Sequence, residues 1–204
     1  MVETKINRFF RNRINSKKRK NLKNTDFSLI ASNCNGGVIC HDLKQQFRSP
    51  FVNLWLKPKD YIKFLQNIEY YLGCDLKFTK EENIDYPIGM LDDIKIYFMH
   101  YETEEKAKEK WIERSKRINL DNLFILFTDR DECSLEDMKD FDRLPYKNKI
   151  IFVNKEYPEI KSAYYIKGFE NDKTVGILTH FVNKYSGKRY LDYFNYVKWF
   201  NEGK

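Results

Sequence analysis

The run Leu123-Phe124-Ile125-Leu126-Phe127, followed after one threonine by Asp129-Arg130-Asp131, decides how this chain is read. It is short, wholly apolar and bounded by polar residues, the pattern of a strand covered on both faces. Residues 27–31, 150–153 and, more briefly, 163–166 repeat that pattern. Residues 51–56 read as a further strand.

Helical periodicity fills the intervals. Residues 102–117 place Glu102, Glu104 and Glu105 at one end and Arg114, Lys116 and Arg117 at the other, matching the helix dipole. Ala107, Trp111, Ser115 and Ile118 mark its inner face. Pro58 opens a helix whose apolar stripe is Tyr61, Phe64, Leu65, Ile68 and Leu72, with Gly73 as its stop. Residues 38–43 read as the first turns of a helix. Ser134 with Asp137 forms a capping-box pattern before a short helix that ends ahead of Pro145. Leu191, Phe194, Val197 and Phe200 mark a terminal helix. Residues 86–99, centred on Asp92-Asp93, read as a turn into a strand and an added antiparallel hairpin. The alternation predicts a layered α/β fold with a largely parallel central sheet flanked by helices. Ligands in such folds gather beyond the carboxyl ends of the strands, so the loops there are the places to search.

Composition sets outer bounds. The chain has 204 residues, of which 42% are hydrophobic, 16% aromatic and 33% charged. That length suits one domain, and the aromatic content argues against disorder. No apolar run approaches the roughly 20 residues a spanning helix needs, and the first 26 residues hold no signal-peptide core. The four cysteines, Cys34, Cys40, Cys74 and Cys133, form no C-x-x-C pair and no zinc spacing with His41, His100 and His180. Free thiols in a reducing cytoplasm are expected.

The net charge of +7 is unevenly placed. Residues 1–25 carry nine basic side chains and one acidic, a net +8 against −1 for the other 179. Basic character therefore belongs to the N-terminal segment, and no nucleic-acid partner is expected. Residues 1–24 read as a basic amphipathic segment and linker ahead of a single α/β domain at residues 25–204. Val2, Ile6, Phe9, Phe10 and Ile14 form its apolar stripe, which suits peripheral contact of residues 1–20 with the inner membrane face. Docking of that stripe on the domain or a partner chain is the alternative.

Three strand-end features carry candidate chemistry. Ser32-Asn33-Cys34-Asn35-Gly36-Gly37 reads as a loop whose amides cradle a phosphate or an oxyanion, with Cys34 as a candidate nucleophile and Ser32, Asn33, Gly36 and Gly37 as ligand contacts. Asp129 and Asp131 are candidate ligands for a divalent cation, Mn or Mg, with Arg130 available for a phosphate or carboxylate. This D-x-D resembles the metal-binding signature of nucleotide-sugar glycosyltransferases. His100 ends a strand and joins Cys34 and Asp131 as a candidate catalytic residue. Arg114 and Arg117 share a helix face and are candidate contacts for an anionic substrate, although complementing the helix end is their commoner role.

Taken in order, Ser32-Asn33-Cys34-x-Gly36-Gly37, Ser49-Pro50, Tyr86-Pro87-x-Gly89, His100-Tyr101, Trp111-x-x-Arg114-x-x-Arg117-Ile118-Asn119, Asp129-Arg130-Asp131 and Leu144-Pro145-Tyr146-x-Asn148-Lys149 resemble a bacterial family. Its members are commonly labelled exopolysaccharide or capsule biosynthesis proteins. The similarity covers residues 27–166, and it departs at Asn35, where the family pattern carries an aromatic residue. The resemblance implies a group transferase of cell-surface polysaccharide assembly, glycosyl or acyl, acting on an activated sugar or saccharide. A non-catalytic sugar- or nucleotide-binding module is the alternative.

Overall fold

A computed structural model describes residues 4–203 of the chain. Val2 of the apolar stripe lies outside them. Four strands, β1 (Ser28–Ala31), β5 (Leu123–Thr128), β6 (Lys149–Val153) and β7 (Ala163–Tyr165), form one wholly parallel sheet in the order β1-β5-β6-β7. A second, antiparallel sheet contains β2 (Lys77–Thr79), β3 (Ile88–Leu91) and β4 (Ile94–Tyr97), with Asp92-Asp93 as the β3–β4 turn.

Every residue of β5 is buried, and alternation sorts its side chains onto two cores. Leu123, Ile125 and Phe127 face one core, with α3 (Pro58–Gln66), α4 (Ile68–Gly73), α5 (Glu104–Ser115), α6 (Leu135–Arg143) and the hairpin. Phe124 and Leu126 face the other, with α2 (Asn35–Leu43), α7 (Tyr196–Glu202) and residues 166–194. The two-sided burial is why these strands read as continuous apolar runs. Ser134 and Asp137 cap α6 reciprocally, as their spacing predicts.

Three expectations change. Residues 51–56 are not a sheet strand. They form a suture in which Leu56 N donates to Ser32 O at 3.2 Å, while Trp55 and Tyr97 exchange backbone bonds of 3.0 and 2.9 Å. The segment is apolar because it is buried, not because it belongs to a ladder. The helix opened by Pro58 breaks at Asn67, whose non-helical backbone (φ −148°, ψ 63°) splits α3 from α4.

The third change concerns the basic segment. α1 (Lys5–Asn21) runs through residues assigned to a linker and packs with its polar side inward. Asn7, Arg11 and Asn15 are buried, whereas Ile6, Phe9 and Phe10 are exposed. Asn7 Nδ2 donates to Asn183 O at 2.9 Å and Ser186 O at 2.5 Å. Arg11 reaches Asp192 and Asp42, each at 2.5 Å, Lys18 joins Asp192, and Arg189 joins Asp42 at 2.9 Å. Desolvation opposes the Arg11 charge, but the attraction of Asp192 and Asp42 together outweighs it and holds this guanidinium above its ordinary value. Contact is close: a Cβ on Gly187 would stand 2.2 Å from Arg11 N. Ile6, Phe9 and Phe10 therefore do not dock on the domain, since ion pairs hold the opposite face, while Ile14 is half-buried beside Tyr193, Phe194 and Val197.

Candidate functional site

β1 and β5 lie side by side and parallel, so their carboxyl ends open at the same edge of the sheet. Asn33 Nδ2 donates to Thr128 Oγ1 at 3.0 Å and links the two strand-end loops. The suture at residues 54–56 then brings the antiparallel hairpin against the loop after β1. These connections enclose a pocket of about 610 Å³. Its walls include Cys34, His100, Arg130 and Asp131, together with Asn33, Asn35, Trp55, Tyr86 and Thr179. Candidates separated by nearly a hundred residues thus share one concavity.

The remaining candidates do not line it. Residues 35–37 are the first turn of α2 rather than a loop, and both glycines are buried. A Cβ on Gly36 would stand 2.8 Å from Ala31 Cβ, so this glycine admits the helix against β1 instead of cradling a ligand. Asn33 Oδ1 accepts from Asn35 N at 3.2 Å at the helix start. Cys34 and Asn35, at the positive end of α2, face the pocket. Ser32 is buried, and its hydroxyl has no hydrogen-bond partner among the described residues. Arg114 donates to Tyr101 Oη at 2.6 Å and lies over Phe47, while Arg117 pairs with Glu113. Both arginines are occupied in holding α5 and its surroundings.

The two aspartates after β5 have separate tasks. Asp129 is buried, and its carboxylate accepts from Val175 N at 2.8 Å and Asn154 N at 3.0 Å. Burial still raises its pKa, against the pull of those backbone donors. It ties the loop after β5 to the segments that follow β6 and β7. Asp131 and Glu132 adopt left-handed backbone, with φ of 59° and 66°. Two consecutive non-glycine residues in that region are strained, a condition that clusters at functional sites. Asp131 reaches the pocket rim, where desolvation raises its carboxyl and Arg130 opposes the rise. The D-x-D is therefore not a paired cation site. No three His, Cys, Asp or Glu side chains converge to hold a metal ion among the described residues. The residues present do not fit the expected Mn or Mg.

Cys34 is similarly restrained. Burial pushes its thiol up, with its own backbone N–H and Arg130 pulling back only in part. The groups acting on its Sγ are its own backbone N–H and Arg130, neither of which is a base. Arg130 lines the pocket, and its positive charge acts on Asp129, Asp131 and Cys34.

Sequence reasoning missed Trp55 and Tyr86 as wall residues. Trp55 is stacked on Tyr97, with centroids 4.2 Å apart and planes at 12°. No aromatic stands at position 35, and the pocket's aromatic surface comes from these two rings instead. The signal available was Trp55 itself, a large half-polar ring in a mostly apolar stretch.

Fold and pocket together define an α/β protein with a small-molecule-sized cavity at the carboxyl edge of a parallel sheet, roofed by an antiparallel hairpin. The chain belongs to the family described as a domain of unknown function, DUF1919, whose profile matches residues 5–201. That span takes in α1 as well as the sheet. A protein of Haemophilus influenzae (strain ATCC 51907 / DSM 11121 / KW20 / Rd), described as uncharacterized, is 49% identical over 200 residues, 98% of this chain and 96% of that protein.

Proposed function

We propose that this protein binds an activated sugar in the pocket between the β1 and β5 loops, and transfers a glycosyl or related group during assembly of cell-surface polysaccharide. The observation that carries the reading is the meeting of Trp55 and Tyr86 with Arg130 in one cavity of about 610 Å³. A nucleotide sugar presents both things such a wall recognises: flat or CH-rich faces for aromatic rings and a diphosphate for a cation. The positive end of α2 adds to the field felt by that anion. Asn33, Asn35 and Thr179 supply hydrogen-bonding groups of the kind hydroxyls require. The ordered motifs shared with proteins labelled for exopolysaccharide and capsule biosynthesis support the polysaccharide setting.

In this mechanism Arg130 neutralises the leaving diphosphate, and no metal takes part. Asp131, whose carboxyl is raised by desolvation, accepts the proton of the attacking hydroxyl, and His100 on the same pocket wall relays it onward. Cys34 borders the site but forms no covalent intermediate.

Tryptophan fluorescence tests the binding step. Trp111 and Trp199 are buried, so a change on adding UDP-glucose or another nucleotide sugar reports Trp55. Saturable quenching is expected, lost in Trp55→Phe and weakened roughly 10- to 100-fold in Arg130→Ala. If no nucleotide sugar quenches at millimolar concentration, the reading fails. Saturable binding without transfer to any saccharide acceptor would favour the non-catalytic binding module.

A further inference from the structure

The outward face of α1 lies opposite the contacts that hold the helix to the domain. Its inward stripe, Asn7, Arg11, Asn15 and Lys18, follows helical spacing and holds the helix to residues 183–192 and to Asp42. Directly opposite, Ile6, Phe9, Arg13, Lys17 and Lys20 share a face by the same periodicity. The face is divided along its length. Ile6, Phe9 and Phe10, exposed by 47%, 54% and 40%, occupy the N-terminal half, and Arg13, Lys17 and Lys20 the C-terminal half. Arg13 lies 4.6 Å over the Phe9 ring, where the two halves meet. The helix contains no acidic residue. Tyr185, exposed by 77%, stands on the loop bonded to Thr4 and Asn7, and so extends the apolar end.

We infer that this face seats the protein on a bilayer containing anionic phospholipid. Charge complementarity selects that occupant. Cations lie on the solvent side of the helix with no acidic side chain among them, beside phenylalanines able to enter the headgroup boundary. An exposed tyrosine at the same end suits the wet–apolar boundary of a membrane. No helix of the described residues is long and apolar enough to cross a membrane, so the contact is peripheral. The Arg11 pairs make the arrangement rigid, because they bury the polar stripe and leave the apolar one outside before any membrane is met. No α1 residue lines the Trp55 pocket, and the inference stands apart from the activated-sugar reading.

Vesicle flotation of the full chain tests it. The protein should float with phosphatidylcholine vesicles containing phosphatidylglycerol and remain behind with phosphatidylcholine alone. Each surface cation strengthens such partitioning roughly fivefold. R13E/K17E/K20E should therefore lose flotation, and raised salt should weaken it in the wild type. F9S/F10S should partition at least about tenfold less. Both variants alter exposed positions, and an unchanged Tm verifies their fold. Equal flotation with neutral and anionic vesicles, or variants that float like the wild type, would overturn the inference. So would a dimer in size-exclusion chromatography that F9S/F10S converts to monomer, since a second copy would then cover the face.

Discussion

Asn33 Nδ2 donates to Thr128 Oγ1 across 3.0 Å, joining the loop after β1 to the last residue of β5. Thr128 is buried, so this bond is shielded from water and fixes the spacing of the two loops that carry Cys34 and Arg130. Thr128→Val keeps the shape but orphans the Asn33 amide. The expected cost is about 1–2 kcal/mol in denaturant unfolding, with weaker nucleotide-sugar quenching of Trp55. Quenching at wild-type affinity would show that the bond does not organise the pocket.

Asp129 and Asp131 should respond differently to the same substitution. Asp129→Asn sets an amide NH₂ against one of two backbone N–H donors and should lower stability by about 1–3 kcal/mol. Asp131→Asn suits the left-handed backbone and should change stability by no more than about 0.5 kcal/mol. Binding should persist in Asp131→Asn while transfer falls by roughly 10² or more. Thermal melts and initial rates on the two variants separate bracing from proton transfer. Equal rates in wild type and Asp131→Asn would remove Asp131 from the mechanism.

Cys34 should be slow to alkylate. Its thiol is held above the ordinary value by burial, so the thiolate is scarce at neutral pH. Site-resolved mass spectrometry should find iodoacetamide modification slower at Cys34 in the folded chain than in the unfolded one at pH 8, rising with pH beyond it. Cys34→Ser should retain transfer. Loss of transfer in that variant, with binding intact, would restore a covalent step.

The docking of α1 carries a pH signature. Burial works against the Asp192 charge, but Lys18 and Arg11 outweigh it and hold the carboxyl below its unfolded value of about 4. The stabilisation is therefore present above about pH 4 and is lost as the pH falls through the lower folded value. Asp192→Asn should be less stable than wild type at pH 7 by roughly 3–5 kcal/mol, because Arg11 and Lys18 keep buried charges with a partner removed. The gap in stability should narrow below pH 4. A gap independent of pH down to 2 would contradict the assignment.

The parallel sheet was legible because its strands are buried on both faces. Leu123 to Phe127 can alternate between two cores and still read as one apolar run. The same criterion misassigned residues 51–56, where burial comes from a suture and not from a ladder. For α1 the stripe was read correctly as amphipathic, but the sequence left open whether its apolar side docks on the domain. Apolar content marks a face as different without saying which face docks, and the asparagine and arginine stripe wins here because buried acceptors and Asp42 and Asp192 await it. Gly36 and Gly37 showed a need for small residues, yet not whether a ligand or Ala31 required the space.

What the sequence determined by itself is local: which runs are strands, where helices begin and end, and which chemically capable side chains follow β1 and β5. Propensity, periodicity and capping act over a few residues, and they are written in adjacent letters. The tertiary structure alone decided that Asp129 faces inward while Asp131 faces out, that Trp55 and Tyr86 join Arg130, and that α1 turns its phenylalanines to solvent. Those outcomes depend on partners such as Val175, Tyr97 and Asp192, distant in the chain and brought close only by the folded sheet.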